Sequence, residues 1–120
     1  MSGVVNTSNA EHYRWGEACD GWHLLRSEDL SVIEERMPPG TAEQRHFHFR
    51  ARQFFYVLEG ELTIEVDGDL QSMQPRQGLE ILPGQPHQAL NQSGGEVRFL
   101  VISQPPSHGD RRLVPSGANA

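Results

Sequence analysis

Hydrophobic and polar residues alternate along the middle of the chain. Leu62, Ile64 and Val66 fall on one side of "ELTIEVDGD", and Thr63, Glu65 and Asp67 fall on the other. A period of two is that of a strand with one buried face. Asp67-Gly68 follows, a pair that favours a tight hairpin turn. Other short apolar runs stop at turn residues. "FFYVLEG" closes at Gly60, "GLEILPG" at Pro83-Gly84, and "EVRFLVIS" is followed by Pro105-Pro106. Residues 30–37, "LSVIEERM", mix strand-like and helix-like spacing until Pro38-Pro39-Gly40 ends them. Helix signals are otherwise poor, and no internal repeat or low-complexity segment stands out. Short strands between Gly and Pro turns predict an all-β sandwich or barrel.

The two ends follow different patterns. Residues 1–10 are small and polar and are expected to be mobile. Residues 11–28 carry Tyr13, Trp15 and Trp22 ahead of the main strand series. They read either as a flap packed on the barrel or as an arm covering an edge of a partner subunit. The closing "VPSGANA" has the composition of a disordered tail.

Length and composition narrow the class. At 120 residues one domain is expected, and pairing of two copies would add to its buried surface. No stretch approaches the roughly 20 apolar residues of a membrane span. The N-terminus lacks the basic start and apolar segment of a secretory signal. Cys19 is the one cysteine, so no internal disulfide forms, and a cytoplasmic setting is expected. The net charge is −6 with no basic run, which argues against nucleic-acid binding. All ten basic residues are arginine. With no lysine, Schiff-base catalysis by a lysine is excluded, and an anionic substrate would be held by arginine forks.

The chemistry gathers in "HFHFRARQ". On a strand, His46 and His48 project to one face and Phe47 and Phe49 to the other. If a second strand begins near Arg52, Gln53 points back into the same space beside Phe55 and Val57. His87 lies after the turn in "PGQPHQALN". Three imidazoles and one oxygen donor make a mixed site suited to one divalent transition metal: Zn, Ni, Fe, Mn, Co or Cu. The plain alternative is a pair of partly exposed histidines on an edge strand.

Two motifs carry a resemblance. In residues 38–61, Gly40 is followed by five residues, His46-Phe47-His48, four residues, Gln53, six residues and Gly60. This resembles the first cupin motif, G-x5-H-x-H-x3,4-E-x6-G, with Gln in place of Glu. In "GLEILPGQPHQALN", Gly84, His87 and Asn91 match the back half of the second motif, G-x5-P-x-G-x2-H-x3-N. Leu82 stands at its usual Pro and Arg76 at its usual Gly, with Pro83 and Gly78 close by. The resemblance is to small single-domain cupins of the RmlC-like superfamily. It implies a double-stranded β-helix, the jelly-roll barrel, over residues 29–106, with an N-terminal arm at 1–28 and a tail at 107–120. It implies the ligand set His46, His48, Gln53 and His87. A neutral Gln ligand leaves the site more positive than a Glu would, which strengthens Lewis acidity and weakens metal affinity. The alternative is that Gln53 has ended metal binding.

The function implied is a lyase or isomerase type of reaction on a small oxygenated molecule such as a sugar or sugar acid, in a homodimer. A metal-dependent dioxygenase and a non-catalytic small-molecule-binding cupin are the alternatives, and fold resemblance does not choose among them. The site also resembles small cupins that open unsaturated uronate sugars. Those enzymes use an acid/base carboxylate on a late strand with an arginine nearby. Here the late strand offers only Arg98, and His108, Asp110 and Arg111 come after the Pro-Pro break. His108 is the weak catalytic candidate, as a general base, against a surface pair with Asp110. Arg50 and Arg52 are expected to face outward. Glu80 and Tyr56 are candidate pocket linings, Trp22 and His23 are expected to pack the arm, and Cys19 lacks a basic partner that would activate it. No phosphate-binding glycine loop or serine-nucleophile elbow is present.

Overall fold

The computed structural model describes residues 3–115, and it is all-β. The last five residues of the expected tail lie outside the described residues. Among the described residues there is no helix. Eleven strands form two antiparallel sheets that face each other as a jelly-roll barrel. The strands are β1 (Glu11–Trp15), β2 (Cys19–Arg26), β3 (Ser31–Met37), β4 (His46–Phe47), β5 (Arg52–Glu59) and β6 (Leu62–Val66). Then come β7 (Asp69–Met73), β8 (Gly78–Ile81), β9 (His87–Leu90), β10 (Val97–Gln104) and β11 (Arg112–Leu113). One sheet has the order β1-β2-β3-β10-β5-β8, and the other β11-β4-β9-β6-β7.

The period-two patterns set which residues turn inward. Leu62, Ile64 and Val66 of β6 are buried, and the hairpin to β7 turns at Asp67-Gly68, with Val66 paired to Asp69. Val97, Phe99 and Val101 of β10 are buried as well. With Met37, Phe55, Val57, Ile81 and Ala89 they form one core drawn from both sheets. Residues 30–37, ambiguous by spacing, resolve as strand. β3 lies between β2 and β10, and seven consecutive residue pairs join it to β10. That pairing decides between the two periods.

Inward rows of the larger sheet grade from core to cavity. Val57, Phe99 and Glu35 lie abreast, then Phe55, Val101 and Ile33, then Gln53, Ser103 and Ser31. The first row carries two buried apolar side chains and the last carries three buried polar ones. The polar end of this face opens on a cavity of about 630 Å³.

β1 and β2 extend the larger sheet rather than standing away from it, in continuous register from Glu11↔His23 to Trp15↔Cys19. Gly21 of β2 sits opposite both Tyr13 and Glu35. A Cβ at Gly21 would lie 2.2 Å from the Tyr13 ring. Only glycine leaves room for the phenol to lie over β2 and reach β3.

Candidate metal centre

β4 and β9 place the imidazoles. His46 and His87 are register partners across the two strands, and His48 follows two residues after His46. Gly84, in the positive-φ region at 80°, turns the chain ahead of His87, and its N–H donates to the His48 carbonyl at 2.7 Å. That bond ties the turn before β9 to the end of β4. Ring nitrogens of His46, His48 and His87 all lie within 4.8 Å of one another, and all three residues are buried.

Each Nδ1 is committed to a backbone carbonyl. His46 bonds Gln44 O at 2.7 Å, His48 bonds Asp110 O at 2.6 Å, and His87 bonds Gln85 O at 2.9 Å. A carbonyl only accepts, so Nδ1 carries the proton and Nε2 keeps its lone pair. The Nε2 atoms of His48 and His87 are buried without a partner. Burial pushes His46 down to about 3 and His87 down to about 4, and lowers His48 as well. All three are neutral bases at neutral pH, the form that binds a metal ion.

Gln53 faces the same cavity from β5. Its Nε2 donates to Ser103 Oγ at 3.0 Å across the β5–β10 pairing. Its Oε1 is buried with no partner. A buried acceptor without a donor is costly in a settled fold. Here three such acceptors, two imidazole nitrogens and one amide oxygen, gather at one place, where His48 and Gln53 line the cavity and His87 packs against His46 and His48. That donor set fits a divalent transition ion.

Asp110 secures the end of β4 from the far end of the chain. Its carboxylate accepts from the backbone N–H of Phe49, Arg50 and Ala51, each at 2.9 Å, while its carbonyl takes His48 Nδ1. Burial alone would raise its pKa; the three N–H groups overcome that and hold it below the ordinary carboxylate range. β11 then pairs with β4, Leu113 opposite His46. His108 and Arg111 therefore line the cavity, placed there by the segment after the Pro-Pro break.

The cavity lining also carries two carboxyls that the motif spacing along the chain does not mark, Glu35 on β3 and Glu43 beside β9. Glu35 is half-buried on the inward face of β3, and burial raises it to about 7, against the hydrogen bond from Tyr13 and the charge of Arg111. Burial and the charge of Glu35 raise Glu43 to about 8, although its carboxylate accepts the Ala89 N–H at 3.0 Å. Tyr13 donates its hydroxyl to Glu35 Oε2 at 3.0 Å and stays protonated far above the ordinary phenol range. A signal for Glu35 was present: Ser31, Ile33, Glu35 and Met37 share a parity, so a carboxylate stands on an otherwise inward face. Ser103 has the same kind of signal, as a polar end to the Val97, Phe99, Val101 stripe.

The remaining candidates lie elsewhere, with one exception. Arg50 and Arg52 are exposed, and Arg52 pairs with the exposed Glu80 at 3.7 Å. Tyr56 stacks on Phe54 and does not line the cavity. Arg98 lies over the Trp22 ring at 5.2 Å. Cys19 is buried in the core, and burial raises its thiol. The exception is His23, which lines the cavity beside Tyr13 with its Nδ1 unpartnered.

The Cupin_2 family model, described as a cupin domain, matches residues 33–103, more than half of the chain. The chain belongs to the cupin family. This cupin is 32% identical over 69 residues to the polyketide synthase protein CurC of Streptomyces cyaneus, covering 58% of this chain and 45% of that one. The chain thus spans less than half the length of that relative. Its fold superposes on the polyketide cyclase RemF of Streptomyces resistomycificus with a TM-score of 0.80 at 23% identity, covering 96% of this chain and 87% of that one. A sugar phosphate isomerase of the cupin superfamily from Silicibacter pomeroyi superposes with a TM-score of 0.75 at 22% identity, covering 87% and 76%.

Proposed function

We propose that this cupin is a metal-dependent enzyme of isomerase, lyase or cyclase type, working beside a carbonyl of a small, oxygen-rich and largely apolar molecule. The observation that carries it is the convergence of the His46, His48 and His87 ring nitrogens at a cavity that His46, His48 and Gln53 line, with acceptor atoms of His48, His87 and Gln53 buried and unpartnered. These four residues hold the ion in this proposal. When bound, a divalent ion supplies Lewis acidity towards a carbonyl or hydroxyl oxygen. The chain does the rest. Gln44, Asp110 and Gln85 fix the three imidazoles as Nε2 donors. Ser103 orients the Gln53 amide. Val101 and Phe55 give the wall of the same cavity an apolar surface.

The cavity favours a polyketide-like substrate over a sugar phosphate. Tyr13, Trp15, Ile33, Phe55 and Val101 give its walls large apolar faces, and its volume of about 630 Å³ is that of a ligand pocket. Glu11, Glu35 and Glu43 share the lining with Arg26 and Arg111, so no cationic cluster forms to hold a phosphate. The polyketide relatives point the same way. A homodimer goes with the proposal, because β1 and β8 leave open edges on the larger sheet; sedimentation of the purified protein tests it.

Elemental analysis and ligand titration test the function. Wild type is expected to hold one transition ion per chain, and folded His46→Ala and His87→Ala proteins none. Full metal in either variant would overturn the ligand set. Emodin, a flat polyhydroxylated polyketide, is expected to bind the metal-loaded protein in a calorimetric titration. Binding of galacturonate in its place would return the substrate to the sugar acids.

A further inference from the structure

We propose that Glu35 is the residue that takes and returns a proton at the substrate in this cavity, positioned by Tyr13, which reaches it across Gly21. The inference rests on the carbonyl chemistry proposed above and names the group that completes it. Glu35 is the carboxyl on the inward face of β3, in the wall of the cavity that His46 and His48 also line. The hydroxyl of Tyr13 fixes one of its oxygens, Oε2, at 3.0 Å. The other oxygen, Oε1, has no hydrogen-bond partner among the described residues and faces the cavity that a ligand would fill.

The device spans three strands. Tyr13 on β1, Gly21 on β2 and Glu35 on β3 lie abreast in register. The phenol occupies the space a side chain at residue 21 would fill, since a Cβ there would stand 2.5 Å from its hydroxyl oxygen. A glycine is not required by the backbone at this point, because Gly21 has no positive φ. The close approach of the tyrosine is the reason for it. Burial raises Glu35 to about 7, so both protonation states are populated at neutral pH, as proton transfer in both directions requires. Glu11 and Tyr13 on β1, His23 and Arg26 on β2, Glu43 after β3, His46 and His48 at β4, and His108 and Arg111 of the final segment are the titratable and charged groups that share the cavity with it.

The step balances within the pocket. The Glu35 carboxylate takes a proton from the carbon beside a polarised carbonyl. The C–H electron pair becomes a C=C bond, and the carbonyl π pair moves to oxygen. The oxyanion pair then re-forms the carbonyl, and the new C=C pair either shifts through a conjugated C=C to a more distant carbon, which takes the proton from the Glu35 carboxylic acid in an isomerisation, or forms a C=C bond to the next carbon as the C–O bond there breaks and the hydroxyl leaves as water with that proton.

Two measurements test it. The first is a carbon-13 titration of carboxyl-labelled glutamates in the zinc-loaded protein, with Glu35→Gln assigning the signal. The Glu35 midpoint is expected near neutrality. Tyr13→Phe is expected to move it up, because the phenol stabilises the charged form. Gly21→Val should do the same with the phenol intact but displaced, and if that variant does not fold Tyr13→Phe decides alone. An ordinary carboxylate midpoint in wild type, or no upward movement in Tyr13→Phe, overturns the inference. The second is hydrogen exchange into dihydroxyacetone in heavy water, followed by proton NMR. Wild type is expected to exceed Glu35→Gln roughly 100-fold or more, and equal rates, at whatever level, overturn the proton-transfer role. Zinc per chain separates this from the metal reading. A wild-type protein without metal sinks that reading, whereas full zinc with an ordinary Glu35 midpoint sinks this inference alone.

Discussion

Replacing Asp110 with alanine separates the stability of the fold from the order of the metal centre. The carboxylate holds three backbone N–H groups at 2.9 Å, and the same residue's carbonyl orients His48. A bond to a charged group contributes about 1.5–3 kcal/mol. Phe49 and Arg50 are exposed, so water replaces the carboxylate at two of the three donors. Ala51 is 1% exposed, and its N–H is left with no partner. The loss therefore concentrates at one buried donor, for a net cost of about 2 kcal/mol. In a domain of this length that is a fall in Tm of about 8 °C. The site suffers separately, because the segment carrying the Asp110 carbonyl is no longer pinned against β4. Loosening such an outer partner of a metal-binding imidazole weakens affinity about 10- to 100-fold. Thermal melts and zinc competition against a chromophoric chelator measure the two effects. The stability gap has a defined pH dependence. The Asp110 pKa is depressed in the fold, so its contribution is complete above about 4, the ordinary value, and is lost as pH falls through the folded value. Zinc affinity within twofold of wild type beside a lowered Tm would refute the positioning of His48. An unchanged Tm would refute the N–H argument itself.

Two further outcomes follow from buried charge and buried imidazole. Arg45 grips Glu65 through two bonds, at 2.7 and 3.3 Å, with side chains 6% and 13% exposed. Arg45→Ala strands the carboxylate and is expected to cost about 3 kcal/mol in urea unfolding, whereas a joint change to Arg45→Met and Glu65→Leu recovers most of it. Metal-free protein is expected to lose stability between neutral pH and pH 5, because the unfolded chain protonates histidines that the fold keeps neutral. His46 and His87, lowered to about 3 and about 4, contribute roughly 2 kcal/mol each at pH 5. A urea midpoint unchanged between pH 7 and pH 5 would contradict their burial as free bases.

Much of the barrel was legible because its code is local. Leu62, Ile64 and Val66 announce an inward face within five residues, and Asp67-Gly68 announces the turn after them. The histidine pair was legible for the same reason, since two residues on one strand share a face. Glu35 was harder to see. "SVIEERM" carries three charged residues in a row, and only the pairing of β3 between β2 and β10 shows that the middle one turns inward. The role of Asp110 has no local signature at all. Its partners are 59 to 62 residues away, and the chain reaches them by crossing from one sheet to the other after β10. Residues 107–113 accordingly read as part of a tail in the sequence, while Ser107, His108, Gly109 and Arg111 line the cavity and Arg112–Leu113 form β11. Tyr13 was legible as an aromatic in need of burial. Its reach across Gly21 belongs to the register of β1 on β2.

His46 and His48 are neighbours in any conformation of the chain, whereas His87 joins them only through the β4–β9 pairing. An unfolded chain therefore keeps a two-histidine chelate that a transition ion can occupy. Ligand-linked stabilisation counts only the difference in affinity between the folded and unfolded forms. On the proposed ligand set, added zinc is thus worth less to the stability of this protein than its affinity for the folded site implies, and the share that reports folding is the share His87 and Gln53 supply. On the same proposal the local pair offers an ion a first foothold before the barrel closes, so metal capture would precede the slow, long-range pairing that completes the site.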